Sequence, residues 1–124
     1  MLLDTSAWIE YLTGSKKGEV IKSLFIQGAV AYTCPLTIAE ISSWCYKNNE
    51  EPFYYLKEIK RLSNILELEE EILIASGKTY YEERKKNSKI GIIDCIIYTT
   101  ARFHDLILVT GDNDFKDLNY VKIL

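Results

Sequence analysis

Two carboxylates in this chain fall where a helix is expected to bury carbon. Glu40 stands in Leu36-Thr37-Ile38-Ala39-Glu40-Ile41-Ser42-Ser43-Trp44, with Leu36 and Trp44 four residues to either side. Residues four apart are neighbours on a helix surface, so this glutamate shares its stripe with two large apolar side chains. Asp94 repeats the pattern among Ile93, Ile97, Tyr98 and Ala101. It also lies in the first turn of its helix, where the dipole favours an anion by about 0.3–1 kcal/mol. Burying a carboxylate without compensation is expensive, so both positions ask for a partner. Three further acids have simpler explanations. Asp4 precedes Thr5-Ser6-Ala7-Trp8 and reads as a helix N-cap. Asp112 and Asp114, in Thr110-Gly111-Asp112-Asn113-Asp114-Phe115, read equally as turn formers or as paired carboxylates at a strand end.

The elements that must position these acids follow from hydrophobic period. Short apolar runs at Met1–Leu3, Ala29–Thr33, Ile65–Leu68, Ile107–Thr110 and Val121–Leu124 predict strands. Helical patterns lie between them, over roughly 6–12, 17–27, 36–48, 52–63, 69–87 and 92–104. Pro35 and Pro52 stand where a helix tolerates a fixed φ and a missing N–H, its first position. Alternation of this kind predicts an α/β fold around a parallel five-stranded sheet, and 124 residues suit one domain spanning 1–124. Asp4 and Asp112 then close two strands, Glu40 follows a third by one helical turn, and Asp94 opens a helix. All four converge on the crevice outside the strands' carboxyl ends, where open α/β sheets bind ligands. Two like charges about 4 Å apart repel by about 4 kcal/mol at an effective dielectric near 20. Such a cluster therefore protonates or binds a cation. An all-oxygen donor set suits Mg²⁺ or Mn²⁺ and argues against zinc.

Other features bound the reading. The net charge of −3 does not mark a nucleic-acid binder, although Arg84, Lys85, Lys86 and Lys89 form a local basic cluster, and Lys16-Lys17 a second. Either set is equally the solvated end of a helix. Cys34, Cys45 and Cys95 are odd in number and form no CxxC pair, which predicts buried thiols. No apolar stretch is long enough for a membrane span, and Met1-Leu2-Leu3-Asp4 shows no secretory pattern, so a cytoplasmic location is expected. Ile72, Leu73, Ser76, Tyr80 and Arg84 form one stripe of the fifth helix, and Gly77 within it predicts close packing against a neighbour. Ser76-Gly77-Lys78-Thr79 has the ending of a phosphate-binding loop, but Ile72 stands at its required first glycine. His104, the single histidine, falls at a helix C-terminus and carries no expected chemistry.

Leu3-Asp4-Thr5-Ser6, Glu40, Gly91-Ile92-Ile93-Asp94 and Thr110-Gly111-Asp112-Asn113-Asp114-Phe115 together resemble the PIN domain, and most nearly the VapC-type toxins of toxin–antitoxin systems. The resemblance runs from Asp4 to Phe115. It implies a three-layer α/β/α sandwich and an endoribonuclease that depends on Mg²⁺ or Mn²⁺. It also implies a homodimer and a small antitoxin partner that inserts a tail into the active site. On this resemblance Asp4, Glu40, Asp94 and Asp112 match the catalytic, metal-binding quartet, and Asp114 a more variable fifth acid. Thr5, Ser6 and Thr110 match hydroxyl residues that orient them. On charge alone, Arg84, Lys85, Lys86 and Lys89 suit an RNA-facing role as well as a solvated helix end. Two departures are visible: Tyr98 replaces a small residue, and Gly111 replaces a frequent basic one. Two rivals remain, a PIN nuclease of RNA maturation and a non-catalytic PIN-like module that binds RNA or protein.

Overall fold

A computed structural model describes residues 1–124. Its five strands are short: β1 (Leu2–Leu3), β2 (Ala31–Thr33), β3 (Ser63–Ile65), β4 (Leu108–Thr110) and β5 (Val121–Ile123). They form one sheet in the order β3-β2-β1-β4-β5, and every pairing is parallel. The chain builds outward from β1 to β2 and β3, then crosses back to place β4 on the other side of β1. The strand order thus reverses between β1 and β4, and in sheets of this kind that is where a crevice opens.

Six helices connect and cover the strands: α1 (Thr5–Leu12), α2 (Gly18–Ile26), α3 (Pro35–Lys47), α4 (Pro52–Leu62), α5 (Glu70–Arg84) and α6 (Ile92–Phe103). Pro35 and Pro52 open α3 and α4, as their positions predict. Successive strand residues point to opposite faces, so Leu2 and Leu3 enter different cores. Leu3, Ala31 and Val109 meet Ala7, Trp8, Ile21, Ile41, Cys45, Tyr55 and Ile59 from α1–α4 on one face. Leu2 and Leu108 meet Cys34, Ile97, Ala101 and Phe115 on the other. Helices lie on both faces, which is the predicted α/β/α sandwich. Trp8 is fully buried, and its indole N–H donates to Thr33 Oγ1 at 3.0 Å, so the largest core side chain leaves no unmet donor. Gly18 permits the close crossing of α2 over α1, because a Cβ there would run into the carbonyl of Glu10.

Several expectations shift. Strand β2 begins at Ala31, two residues later than predicted, and β3 lies at Ser63–Ile65 rather than Ile65–Leu68. Ser63, Asn64 and Ile65 pair with Ala31, Tyr32 and Thr33, and the Leu66 amide extends the ladder to Thr33 O at 2.9 Å. The apolar run marks burial: Leu66 and Leu68 pack against the second core, beyond the paired residues. Gly77 does not pack closely, because a Cβ there would meet nothing within 4 Å. Of the predicted α5 stripe, Ile72 and Ser76 are buried, whereas Leu73 and Arg84 are exposed. That helix packs chiefly on α6 alone, so only a narrow seam of it is covered. Ser76–Thr79 lies within α5 and forms no phosphate loop. Cys34, Cys45 and Cys95 are buried free thiols, as expected. No helix is long and apolar enough to cross a membrane.

Candidate active site

Asp4 follows β1 in extended conformation and caps α1, as its sequence position predicts: its Oδ1 accepts from the Ala7 amide at 2.8 Å. Capping is only part of its role. The same oxygen accepts from Ser6 Oγ at 2.7 Å, and Oδ2 accepts from Thr110 Oγ1 across the sheet. Ser6 Oγ accepts from the Gly111 amide at 2.8 Å, and Thr110 Oγ1 from the Asp112 amide at 3.0 Å. The ends of β1 and β4 are therefore laced through one carboxylate and two hydroxyls. Asp112 caps the next turn, a short 3₁₀ helix over Asn113–Phe115, by accepting from the Asp114 amide at 2.8 Å.

Glu40 projects from α3, and its Oε1 accepts from Thr5 Oγ1 at the start of α1. Asp94 sits at the third position of α6, and its Oδ2 accepts from the Gly91 amide at 2.9 Å. Thr5, Ser6 and Thr110 thus each touch a carboxylate, the contacts expected of orienting hydroxyls. Glu40 Oε1, Asp94 Oδ2 and Asp112 Oδ1 are occupied, while the second oxygen of each receives no protein donor.

Burial, with a smaller part from neighbouring charge, raises the proton affinity of Asp4, Glu40 and Asp94. Asp4 is only 5% exposed, and loss of solvent pushes its carboxyl to about 6. Its three hydrogen bonds act against that rise, and the charge of Asp112 adds to it. Desolvation also raises Glu40 and Asp94. The Thr5 hydroxyl opposes the shift at Glu40 and Asp94 reinforces it, whereas Asp112 and Asp114 reinforce the shift at Asp94 after the Gly91 amide has reduced it. Asp4, Glu40, Asp94, Asp112 and Asp114 therefore feel one another as a single field. None of them forms an ion pair with a basic side chain.

Such a set fits a hard divalent cation on donor chemistry: oxygen acceptors only, oriented, repelling one another and uncompensated. In this structure the arrangement is an open one, since no three acidic, histidine or cysteine side chains close around a common point. His104 is exposed at the C-cap of α6.

Two residues at the rim escape sequence reasoning. Asn87 Nδ2 approaches Asp114 O at 3.4 Å and Oδ1 at 3.5 Å, and Lys116 follows the 3₁₀ turn beside it. A turn asparagine and a surface lysine carry no periodic signal, so only the folded chain reveals their position. The structure also divides the basic cluster. Lys86 and Lys89 border a hollow shared with Asp114, whereas Arg84 and Lys85 lie over the Tyr80 and Tyr81 rings in a separate groove. The missing side chain at Gly111 is not a matter of space, because a Cβ there would meet Ser6 and Glu10 only at ordinary distances of 3.5–3.8 Å.

The sequence pattern of the PIN domain matches residues 1–119. No protein of curated function matches the sequence. Among solved structures, the chain is similar to a toxin–antitoxin complex from Klebsiella pneumoniae (24% identity, TM-score 0.76, 98% of this chain and 94% of that one). It is also similar to VapBC2 from Rickettsia felis bound to a promoter DNA fragment (17% identity, TM-score 0.77, 99% and 96%). A third likeness is to the Sarcin-Ricin loop cleaving toxin VapC20 from Mycobacterium tuberculosis (14% identity, TM-score 0.74, 98% and 97%).

Proposed function

The chain belongs to the PIN domain family, and from that premise we propose that it is an endoribonuclease dependent on Mg²⁺ or Mn²⁺, acting as the toxin of a type II toxin–antitoxin pair. The observation that carries this reading is the lacing of Asp4, Glu40, Asp94 and Asp112 around the β1/β4 crevice, each with one oxygen or more fixed by a hydroxyl or an amide. A scaffolding role would need none of the strain that four unpaired acids impose.

Glu40, Asp94 and Asp112 would hold the cation through the oxygens that no protein donor occupies, with Asp4 completing the set and Asp114 at its edge. Bound there, a divalent cation supplies a Lewis acid at the attacked phosphate. The chain's own contribution is orientation. Ser6 and Thr110 hold the Asp4 carboxylate in one plane, Thr5 fixes Glu40, and the Gly91 amide fixes Asp94. This work needs no histidine base, consistent with the exposed position of His104.

The partners follow from the same reading. Two of the similar structures are toxin–antitoxin assemblies, which supports a small antitoxin here. A second copy of this chain has a surface to cover in α5, where Ile74 and Tyr81 are 69% and 65% exposed on either side of Gly77. The rival reading as an RNA- or protein-binding module without catalysis predicts binding with no metal-dependent cleavage.

The test is RNA cleavage by the purified protein in Mg²⁺, beside Asp94→Asn. Loss of an outer contact to a metal ligand commonly costs 10–100-fold, so loss of a ligand's charge is expected to slow cleavage by at least about 100-fold. Equal rates in the two proteins would refute the assignment.

A further inference from the structure

At Asp114, the outermost of the site acids, the surface opens into a hollow that also carries three lysines. A cavity of about 410 Å³ lies beside Asp114, lined by Lys86, Asn87, Lys89, Asn113, Lys116 and Asp117, with no hydrophobic residue in its wall. Its volume falls within the usual range for small-ligand sites, but those are mostly apolar and this one is not. A ligand entering it would meet only charged and amide side chains. Three elements contribute. Lys86, Asn87 and Lys89 come from the turn after α5, Asn113 and Asp114 from the 3₁₀ turn, and Lys116 and Asp117 from the chain beyond it.

The charges in this hollow are not consumed by the fold. Lys86 reaches Glu83 at 3.5 Å, but neither Lys89 nor Lys116 forms an ion pair, although Asp114 and Asp117 line the same space. Asn87 is fixed, because its side-chain oxygen accepts from the Lys89 amide at 2.9 Å while its amide group faces Asp114. The turn that carries the lysines is thereby tied to the acidic crevice. Arg84 and Lys85, by contrast, do not line it: Arg84 is engaged by the Tyr80 hydroxyl at 2.8 Å and the Ile90 carbonyl at 3.2 Å, and Lys85 lies over the Tyr81 ring.

A polyanion approaching this chain meets a net charge of −3 and a crevice of uncompensated carboxylates. Charges more than about 8 Å apart are largely screened at physiological salt, so distant lysines cannot offset that repulsion. Cations near the acids are needed, and Lys86, Lys89 and Lys116 share a hollow with Asp114 at the edge of that set. Asn87 and Asn113 add amide donors of the kind that contact phosphate and sugar oxygens. From this juxtaposition we propose that the Lys86/Lys89/Lys116 hollow is the RNA-backbone subsite, which holds a phosphodiester next to the one at the acidic crevice. The proposal deepens the nuclease reading and rests on it. It assigns substrate positioning to Lys89 and Lys116 and withholds it from Arg84 and Lys85.

The test uses the full chain. Single-stranded RNA binding is measured by fluorescence anisotropy, without added metal and across a salt series, in an Asp94→Asn background that cannot turn the substrate over. Lys89→Glu/Lys116→Glu is compared with Lys22→Glu/Lys57→Glu, which changes net charge equally on helices α2 and α4. The hollow variant is expected to weaken binding at least about tenfold. With two lysine–phosphate pairings removed at about 0.7 each, it is also expected to flatten the slope of log affinity against log salt by about 1.4. The control is expected to stay within about twofold. In the background with Asp94 restored, the hollow variant is expected to raise KM far more than it lowers kcat. Equal weakening in both charge variants, or none in the hollow variant while the parent binds, would overturn the subsite but leave the nuclease intact. Preference for single-stranded DNA over RNA would overturn the RNA assignment. Wild-type protein that neither binds RNA nor cleaves it in Mg²⁺ would remove the nuclease reading, and the subsite with it.

Discussion

Leu3 and Asp4 are consecutive, and both are buried, at 0% and 5% exposure. Leu3 joins an apolar cluster drawn from β1, β2, β4 and four helices, where a side chain of its size contributes about 1.5–3 kcal/mol. Asp4 does the reverse. Burial lifts its carboxyl from 3.8 to about 6, so its charged form opposes folding by about 3 kcal/mol at neutral pH. Glu40 and Ile41 repeat the contrast one strand over, an acid raised by burial beside a fully buried core residue. Core and crevice are thus built from adjacent residues, and the first supplies the stability that the second spends. Asp4 and Glu40 are therefore tolerated rather than stabilising, a pattern in which functional sites are enriched.

The contrast breaks most visibly at Ile41. Ile41→Ala opens a cavity in the larger core and is expected to destabilise by about 2–5 kcal/mol in denaturant unfolding. Asp94→Asn, which removes a repelling charge but keeps an oxygen for the Gly91 amide, is expected to leave metal-free stability unchanged or higher. A loss as large as that of Ile41→Ala would mean that the crevice is structural.

A smaller effect sharpens the same point through pH. Asp4 binds its proton more tightly folded than unfolded, so its contribution favours folding as pH falls from above 6 toward 3.8, and is unfavourable above 6. Between pH 7 and pH 5 this amounts to about 1 kcal/mol of added metal-free stability, with Glu40 and Asp94 shifted the same way. Unfolding midpoints at the two pH values, beside Asp4→Asn, check it: the variant is expected to flatten the difference. An unaltered pH dependence would show that the buried carboxylate carries no such penalty.

The sequence makes the acids legible because two of them contradict their surroundings. The helices that carry Glu40 and Asp94 form where the period places them. The fully buried stripe of α3, however, is Thr37, Ile41 and Cys45. Glu40 lies beside it with the half-buried Leu36 and Trp44, as Asp94 lies half-buried beside Ile97 and Ala101. Strand order is less legible, since the return of the chain from β3 to β4 is a long-range event that local pattern does not encode. Strand β3 illustrates the limit: Ile65, Leu66 and Leu68 announce burial, but pairing begins at the polar Ser63 and Asn64 because register follows β2. Gly77 illustrates the opposite error, a residue that suggests packing from within while lying on an open face. The cationic hollow is not legible at all. Lys89 and Lys116 are 27 positions apart in numbering and meet only once the turn after α5 reaches the 3₁₀ segment.

Binding of a divalent cation by these carboxylates, as proposed, is measured by titration calorimetry with Mn²⁺. Wild-type protein at neutral pH is expected to bind Mn²⁺ saturably, with Mg²⁺ competing and binding weakened at pH 5 as Asp4, its carboxyl raised to about 6, takes up a proton. Asp94→Asn is expected to bind at least about tenfold more weakly. Equal Mn²⁺ affinity in the two proteins, or no binding in either, would contradict the account.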